Sequence, residues 1–402
     1  MQVALDQHTV SLENYLAHLF AELLLDGHQF AVWRKPNSQF LQILIDKTGK
    51  VKRISPQIEE LIPGFIIHPF VDQKDRKAYF LEATEYFKID LLAADKLPVP
   101  DIKTNFKTAE EAKELIQSYF LKNTKAEFNS RKDFECSKEE FINLVKMGIK
   151  AIEERQLNKI VPAKLKKISL NEHFDLIKSI KSLLDSYPNA FINFFHLPEV
   201  GTWIGASPEV LIQTKGDQFY TMSLAGTQKA QGDNPLKNAA WTQKEIEEQA
   251  LVSRYIVDCF KKIRLREYEE IGPKTVVAGN LLHLRSDFKV NMKATNFPQL
   301  GSVMLELLHP TSAVCGMPRQ EAFDFLNENE KFDRSLFAGF IGPVNIEGET
   351  SIYVNLRTAQ ITEGAALLYA GAGVTSDSDP EKEWEETEMK CEIIGRHLNL
   401  KN

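Results

Sequence analysis

Beyond residue 158 the sequence is dominated by short segments rich in β-branched and aromatic residues, which restrict the chain to a fold built on β-sheet. These strand-like segments cover 159–170, 189–197, 209–224, 351–361 and 365–373, and the third predicts a hairpin around Gly216. Helical segments lie between them, and no low-complexity linker occurs. Strands and helices that alternate over about 240 residues predict one large α/β or α+β unit.

Four segments carry the signals of helices, and the earliest of them begins at Thr108. The second starts after Ser137, where Glu140 completes a capping box and Phe141 begins an apolar stripe at helical spacing. The segment 234–263 predicts a long helix, and Pro380 predicts the first turn of another. The N-terminal part, up to about residue 100, has weaker patterns that do not reveal its strand pairing.

Charge and cysteine usage limit the class of protein. The net charge is −7, and no basic tract interleaved with aromatic residues occurs, so neither nucleic acid nor an anionic membrane is an expected partner. No run of about 18 apolar residues predicts a membrane span, and the start of the chain lacks a secretory pattern. Four cysteines without CxxC spacing are typical of reduced thiols, so we expect a cytoplasmic protein.

Two pairs of glutamates could bind a metal ion. In the acidic segment near the C-terminus, Glu383, Glu386 and Lys390 lie at positions i, i+3 and i+7, so they share one helix face. Glu245 and Glu248 repeat the i, i+3 spacing in a second predicted helix. Carboxylate pairs suit a hard divalent cation such as Mg²⁺. A solvent-exposed acidic face gives the same pattern, so spacing alone leaves both interpretations open.

Several other residues could contact an anionic ligand, although each also fits a structural role. Gly371 and Gly373 lie between a strand and the acidic helix, where backbone amides could approach an anion or form a tight turn. Gly226 and Thr227 end another strand-like segment. Arg357 lies within a predicted strand, where its planar guanidinium could bind a carboxylate or face water at a sheet edge.

One histidine stands out by its position. His309 follows an apolar run and precedes Pro310, and either a catalytic or a structural role fits that position. No HExxH, GxSxG, nucleotide-binding or kinase signature occurs in the chain. The short motifs therefore do not assign a reaction by themselves.

Taken in order, eight segments resemble the chorismate-utilising enzymes, a family that includes isochorismate synthases, salicylate synthases and the large subunits of anthranilate and aminodeoxychorismate synthases. The resemblance spans about residues 159–390. The segments are KIVPAK, GASPEVL, LAGT, KEIEEQ, LHPTSAVCGMP, FAGFIG, NLRTAQ and AGAGVTSDSDPEKEWEETEMK. The resemblance implies an α+β fold in which two large antiparallel sheets form a sandwich with helices outside. Residues 1–130 would be its divergent N-terminal part and 131–402 its catalytic region, within a single structural unit.

The resemblance also implies a reaction and its acid and base. Lys159 matches the general base that activates water, and Glu209 matches the general acid that protonates the departing C4 hydroxyl of chorismate. Water would add at C2 of the substrate ring. A lysine base must lose its proton, so the pKa of Lys159 must be lowered by burial or by cationic neighbours. A glutamate acid must keep its proton at neutral pH, so the pKa of Glu209 must be raised.

The remaining matched residues would bind the metal and the substrate. Glu248 and Glu386 match ligands of Mg²⁺, with Glu245 and Glu383 in supporting positions. Arginine, lysine and the divalent cation would balance the two carboxylates of chorismate. The residues that would contact the substrate are Gly226, Thr227, His309, Phe337, Arg357, Gly371, Gly373 and Lys390.

Individual residues favour one branch of the family. Ala225 stands where aminodeoxychorismate synthases have a nucleophilic lysine, and Lys159 favours water over the ammonia used by anthranilate synthases. These residues favour an isochorismate synthase, with salicylate synthase, which also eliminates pyruvate, as the alternative. An anthranilate synthase component or an inactive chorismate-binding protein is less favoured. The chain departs from the family at Gln249, usually histidine, and at Phe337, commonly tyrosine. The family implies a monomer whose product feeds menaquinone or siderophore synthesis, with menaquinone favoured.

Overall fold

The computed structural model describes residues 9–71, 76–94, 96–98, 106–122, 135–172, 174–230, 234–278 and 281–398. The strands in these ranges, in chain order, are β1 (Thr9–Val10), β2 (Gln29–Arg34), β3 (Phe40–Asp46), β4 (Lys52–Ile54), β5 (Gly64–His68), β6 (Ala78–Glu82), β7 (Glu85–Asp90), β8 (Leu97–Pro98), β9 (Lys159–Ile160), β10 (Ala163–Ser169), β11 (Phe191–Leu197), β12 (Gly201–Ser207), β13 (Val210–Lys215), β14 (Gln218–Lys229), β15 (Glu269–Ala278), β16 (Leu281–Asn291), β17 (Gly316–Met317), β18 (Phe340–Val344), β19 (Glu349–Val354), β20 (Thr358–Thr362) and β21 (Ala365–Gly371).

The helices of the described ranges lie mostly outside the sheets. In chain order they are α1 (Leu12–Leu25), α2 (Ala109–Lys122), α3 (Lys138–Glu153), α4 (Leu176–Ser186), α5 (Pro235–Asn238), α6 (Gln243–Lys262), α7 (Leu300–Leu308), α8 (Arg319–Asn329) and α9 (Pro380–Gly395). A short 3-10 helix covers Leu91–Ala93.

Two large antiparallel sheets form the framework. The eight-stranded sheet has the order β10-β21-β20-β12-β11-β2-β3-β7, and the nine-stranded sheet has the order β15-β16-β14-β13-β19-β18-β5-β6-β4. Aromatic side chains join their inner faces, because Phe65 of the second sheet lies 5.3 Å from Trp33 and 6.2 Å from Phe195 of the first, measured between ring centroids. The predicted α+β sandwich of two antiparallel sheets is therefore confirmed.

Strand β11 shows how both faces of a sheet become buried. Phe191 and Phe195 point into the core between the two sheets, whereas Ile192 and Phe194 belong to the core on the opposite face. On that outer face the ring of Phe194 stacks on Phe20 of α1 at 5.2 Å. Because neither face meets water, the strand is mostly apolar on both faces, and its two polar residues, Asn193 and His196, are buried as well.

Helices cover the outer faces of both sheets. Apolar residues of α1, α2, α4 and α9 pack with the outer face of the eight-stranded sheet. Helices α6 and α7 pack against β14 and β13 of the nine-stranded sheet, and the Tyr255 hydroxyl of α6 donates to the Leu307 carbonyl of α7 at 2.8 Å. Thus α6 and α9, which carry the predicted metal ligands, are held by different sheets.

The N-terminal strands extend both sheets. Strand β2 pairs with β11 and continues through β3 to β7, whereas β5 pairs with β18 and continues through β6 to β4. The predicted boundary near residue 130 lies within 123–134, outside the described residues.

Two segments that the sequence predicts as single strands each contain two strands. In 159–170, β9 pairs with β17 and β10 pairs with β21, because the chain changes partner at Val161 and Pro162. In 351–361, β19 belongs to the nine-stranded sheet and β20 to the eight-stranded one. Arg357 lies in the crossing with φ 47°, so the prediction that it lies within a strand is wrong.

The predicted helix over 234–263 is also divided. The short helix α5 ends at Asn238, and α6 begins after Thr242, whose amide donates to the Glu245 carboxylate at 2.6 Å. This capping box satisfies amide groups at the start of α6 and fixes where that helix begins. A continuous helix was therefore a wrong prediction, since the internal Thr242 is a helix cap.

Other local predictions are confirmed. Helix α3 begins with the predicted capping box, in which Ser137 and Glu140 exchange hydrogen bonds of 3.0 and 3.2 Å. Strands β13 and β14 form the predicted hairpin, with Gly216 at φ 55° in its turn. All four cysteines are free thiols. In the described part of the chain, no helix combines the length and the apolar character that a membrane span requires.

Replacing Phe194 with alanine should destabilise the fold by about 3–5 kcal/mol, because it removes a fully buried ring from the outer core. The measurement is the free energy of unfolding from urea titrations followed by circular dichroism. Leu92, which is 81% exposed, provides the matched control, and Leu92→Ala should change that free energy by less than about 0.5 kcal/mol. Equal effects of the two changes would contradict this account of the core.

Candidate active site

The site forms where the chain crosses between the two sheets. Glu209 lies in the connection from β12 to β13, and Arg357 lies in the connection from β19 to β20. The two connections are joined by a hydrogen bond from the Val354 amide to the Glu209 carbonyl at 3.1 Å. Both side chains are buried, although both are ionisable. A buried ionisable group needs partners that compensate for its loss of hydration. Such groups are concentrated at functional sites, so their burial here indicates an active site.

Lys159 is the most buried charged group of the site. Its side chain is 0% exposed, and its Nζ lies 2.9 Å from Oε1 of Glu248 in α6. A buried ammonium requires such a partner. The short strand β9 holds Lys159 by pairing with β17, and Ile160 also pairs with Val374. The ion pair thus connects the loop before α9 and strand β9 to helix α6.

Gly373 allows this ion pair to form. A Cβ atom at this position would lie 2.2 Å from Oε1 of Glu248 and 3.2 Å from Cε of Lys159. Any larger residue would therefore push the carboxylate away. The sequence predicts that Gly373 approaches a ligand closely, and the structure places it against the Lys159–Glu248 pair.

Glu209 has the properties of a carboxylic acid that stays protonated. Burial raises the pKa of Glu209 to about 8, although the charges of Lys159, Arg357 and Lys390 act in the opposite direction. The carboxyl is therefore mostly neutral at pH 7 and can donate a proton. Burial lowers the pKa of Arg357 to about 10, so its guanidinium remains charged near neutral pH.

Three carboxylates of the site are each paired with a lysine. In addition to Glu248 with Lys159, Glu386 accepts from Lys390 at 2.6 Å, and Glu383 accepts from Lys244. We call these six residues the lysine–carboxylate cluster. It connects helices α6 and α9, because the carboxylates come from both.

The two glutamates of α9 have different protonation preferences. Burial raises the pKa of Glu383 to about 7, and the nearby charge of Glu386 adds to this effect against that of Lys244. For Glu386 burial acts in the same direction, but Lys390, Lys244 and Arg357 outweigh it and lower the pKa. Glu386 is thus an anion whose charge is balanced by surrounding cations.

The cluster supplies the donor atoms that a divalent cation prefers. Carboxylate oxygens suit Mg²⁺, and Glu248, Glu383 and Glu386 lie around the ammonium of Lys244, whose charge interacts with all three. In the described chain no three acidic, histidine or cysteine side chains already form a metal-binding group, and lysines occupy the carboxylates instead. These residues fit a metal ion if the lysines give way.

Glu245 has a different position from the other predicted metal residues. Its carboxylate accepts from the amide and hydroxyl of Thr242 at the start of α6. Its Cβ also lies close to Gly226, where an added methyl group would be 3.1 Å away. Glu245, which was predicted to support the metal site, therefore caps the start of α6 in the structure.

Gly226 and Thr227 lie in a bulge of β14, where its pairing with β16 shifts between Ala225 and Gln228. Gly226 has φ 70°, and its amide donates to Oε2 of Glu248 at 3.3 Å. Its carbonyl accepts from Nδ1 of His283 at 2.7 Å. The bulge therefore turns backbone groups toward the cluster.

His283 belongs to the site, and sequence reasoning missed it. Burial lowers the pKa of His283 to about 3, with a further contribution from Arg357, so the ring is neutral. Because Nδ1 donates to the Gly226 carbonyl, Nε2 carries the lone pair, and this buried atom has no hydrogen-bond partner among the described residues. A histidine in a strand-like segment gives no local signal, and only its position beside the bulge identifies it.

Two predicted substrate contacts lie in other surroundings. His309 contacts the Pro69 carbonyl at 3.2 Å and the rings of His68 and Phe340, each at 5.0 Å. It lines a separate cavity of about 570 Å³. Phe337 is buried and stacks on Tyr369 at 5.6 Å. Within the described residues, no hydrogen bond or ion pair joins either of them to the lysine–carboxylate cluster.

Lys390 and Gly371, both predicted to contact the substrate, are hydrogen-bonded to each other. The Lys390 ammonium donates to the Gly371 carbonyl at 2.7 Å while it also pairs with Glu386. Gly371 ends β21, and its partner in β10 is Ala163. The end of β21 thus fixes a cation whose charge acts on Glu209, as that of Arg357 does.

The departure from the family at Gln249 creates a buried polar contact. Its side chain is 2% exposed, and Nε2 donates to the hydroxyls of Ser223 at 2.8 Å and Ser286 at 3.3 Å. These serines belong to β14 and β16. The amide therefore anchors α6 to the sheet one residue beyond Glu248.

Comparison with known proteins identifies the family. Residues 81–399 match the family model described as chorismate binding enzyme. This match covers more than half of the chain, and the chain therefore belongs to the chorismate-binding enzyme family.

Individual relatives are isochorismate synthases. The chain is 31% identical over 246 residues to isochorismate synthase EntC of Escherichia coli. The matched region covers 60% of this chain and 62% of EntC. It spans about three fifths of the length of the curated relatives it matches.

Solved structures share the fold over nearly the whole chain. The protein described as the 2,3-dihydroxybenzoate-specific isochorismate synthase DhbC of Bacillus anthracis has a TM-score of 0.71 at 21% identity, with 96% of this chain and all of that chain covered. MenF, the menaquinone-specific isochorismate synthase of Escherichia coli, has a TM-score of 0.70 at 19% identity, with 96% and 91% covered.

The raised pKa of Glu209 predicts a pH-dependent stability difference. In the folded protein the pKa is about 8 against an ordinary 4.5, so this group contributes stability that is fully present below pH 4.5. That contribution is lost as the pH rises toward 8, because unfolding then releases a proton. Glu209→Gln cannot titrate. Its melting temperature relative to the wild type should therefore increase from about pH 5 to about pH 8 and then level off.

The control for this measurement is Glu199→Gln, because Glu199 is exposed. Its melting temperature should stay at a constant offset from the wild type across the same pH range. A constant offset for Glu209→Gln as well would show that Glu209 is ionised throughout.

Proposed function

We propose that the protein is an isochorismate synthase, which converts chorismate to isochorismate by adding water at C2 as the C4 hydroxyl leaves. The observation that carries this proposal is a buried, protonatable Glu209 beside the charges of Lys159, Arg357 and Lys390. Similarity to EntC, at 31% identity over 246 residues, supports it. An acid, a base and cationic groups for carboxylates are what this reaction requires.

Glu209 is the proposed acid. Its neutral carboxyl would donate a proton to the C4 hydroxyl as the carbon–oxygen bond breaks, and the hydroxyl leaves as water. A neutral side chain also avoids repulsion of the anionic substrate. The backbone hydrogen bond from Val354 holds Glu209 at the crossing between the sheets, so its carboxyl is presented from a rigid position.

Lys159 is the proposed base. Once the ammonium paired with Glu248 has lost its proton, the neutral amine would accept a proton from the water that adds to C2 and become an ammonium again. In the structure its Nζ contacts Glu248, and its complete burial leaves it little freedom to move. Strand β9 and Gly373 fix the position of Nζ, which supports a role in orienting water.

The charges of the site suit a dicarboxylate substrate. Four cationic side chains, Lys159, Lys244, Lys390 and Arg357, face three carboxylates of the cluster. Arg357 and Lys390 are the proposed partners of the substrate carboxylates, since a guanidinium and an ammonium make strong hydrogen bonds to such groups.

Mg²⁺ is the proposed cofactor, and Glu248 and Glu386 would hold it, with Glu383 beside them. The donor chemistry fits, because a hard cation takes oxygen ligands and these glutamates come from two helices that meet at the site. When bound, the ion would neutralise a substrate carboxylate. The protein would act as a monomer in the cytoplasm.

The names of the structural relatives divide between 2,3-dihydroxybenzoate and menaquinone. The similarity therefore supports the reaction that these relatives have in common. A link of this chain to menaquinone in preference to siderophore synthesis stays a prediction.

The reaction is tested by incubating the protein with chorismate and Mg²⁺ and separating the products. We expect isochorismate without pyruvate, and Lys159→Ala and Glu209→Gln should each lower turnover by about 10²–10⁴-fold, the usual contribution of an acid or base. Equal amounts of salicylate and pyruvate would identify a salicylate synthase instead. Anthranilate formed only with added ammonia would exclude water as the nucleophile.

Gly373→Ala should lower turnover by about 10²-fold, because the new methyl group displaces the Glu248 carboxylate and misplacement by about 1 Å has costs of this size. The matched control is Gly395→Ala near the end of α9, where the added methyl would make an ordinary contact of 3.6 Å with Leu368. That variant should keep wild-type turnover. Full activity of Gly373→Ala would show that the Lys159–Glu248 geometry is unimportant.

A further inference from the structure

Lys244 is a cation of the cluster to which sequence reasoning assigns no role. It lies on the first turn of α6, and its ammonium donates to Oε1 of Glu383, whose side chain is 1% exposed. The charges of Glu386 and Glu248 also act on this ammonium. Lys244 is therefore a lysine on which all three carboxylates that would surround a divalent cation act.

The stability of α6 does not explain a lysine at this position. Cations near a helix N-terminus oppose the helix dipole, whereas Glu245 on the same turn is favourable there. In the described part of the chain, Lys244 has no hydrogen-bond partner besides Glu383. The carboxylates of α9, and not the stability of α6, therefore account for a lysine at this position.

Electrostatics gives Lys244 a function when no metal is present. Glu383 and Glu386 are buried neighbours on one face of α9 whose charges act on each other, and Glu248 of α6 acts on the same lysine. Neighbouring like charges repel strongly in a site of low dielectric. The ammonium of Lys244 supplies positive charge in their midst and keeps the two helices together.

Lys244 also differs from the other two lysines in its freedom to move. The Lys159 side chain is 0% exposed, and Lys390 is fixed by the Gly371 carbonyl. The Lys244 side chain is 23% exposed and consists of a flexible four-carbon stem. Its ammonium can therefore swing into solvent and be hydrated there, once another cation takes its place beside Glu383.

We propose that Lys244 is an internal counter-ion that occupies the carboxylate cluster in the metal-free protein and is displaced when a divalent cation binds. This inference rests on the metal site of the proposed function. It follows that Lys244 weakens metal binding and stabilises the metal-free fold, because the ammonium and the metal ion compete for the same negative charges.

The test compares divalent-cation affinity in the metal-free protein and in Lys244→Met, which keeps the apolar stem and removes the charge. Protein treated with a chelator is titrated with Mn²⁺ as the probe, and free Mn²⁺ is measured by electron paramagnetic resonance. Lys244→Met should bind Mn²⁺ about tenfold more tightly, within the usual range for coupling between two ligands. Without metal the melting temperature of Lys244→Met should be lower than that of the wild type. Mn²⁺ should raise the melting temperature of the variant by more than it raises that of the wild type.

Two further variants control the comparison. Lys138→Met removes an exposed lysine of α3 that pairs at 2.7 Å with Glu381 of α9, the helix that carries Glu383 and Glu386. It should change neither the Mn²⁺ affinity nor the melting temperature. Lys244→Arg keeps the charge and should retain an Mn²⁺ affinity close to that of the wild type. If Lys244→Met does not fold without metal, Lys244→Gln, which keeps a neutral donor, replaces it with the same expected result.

The outcomes separate this inference from the proposed function. Mn²⁺ binding that depends on Glu386 but is unchanged or weaker in Lys244→Met would overturn the inference alone, because the lysine would then support the metal site. Mn²⁺ binding that persists in Glu386→Gln, or that is absent in the wild type, would overturn both the inference and the proposed metal site.

Discussion

The ion pairs between lysines and buried carboxylates are the interactions on which the site depends. They connect elements that the rest of the fold holds separately, since α6 packs on the nine-stranded sheet and α9 on the eight-stranded one. Strand β9 and the two helices contribute the paired side chains, and the Gly371 carbonyl of β21 accepts from Lys390. None of these charges would be stable in its place alone. The geometry of the site is therefore a property of the assembled sandwich.

The sequence predicts those parts of the structure that depend on neighbouring residues. The capping box of Ser137 and the shared face of Glu383 and Glu386 follow from local spacing, and both are present. The strand through Arg357 was wrong, because only the pairing of β19 and β20 with different sheets shows that the chain crosses there. No sequence signal shows that the backbone of an arginine such as Arg357 adopts the left-handed conformation.

Contacts between distant segments decide the rest of the site. His283 and Lys244 escaped prediction because their significance lies in what β14 and α9 bring beside them, some 57 and 139 residues away in the chain. His309 shows the converse. Its sequence context is conspicuous, but in the structure it lines a different cavity, next to His68. The resemblance to chorismate-utilising enzymes identifies candidates, and spatial proximity then distinguishes those that share a cleft.

The pairing of β2 with β11 and of β5 with β18 has a consequence for association between copies of the chain. Without the N-terminal strands, β11 and β18 would become the edges of the two large sheets, and apolar edges invite pairing with other chains. The N-terminal part of this chain adds three strands to each sheet beyond those two positions. The least conspicuous part of the sequence acts as a seal against intermolecular association.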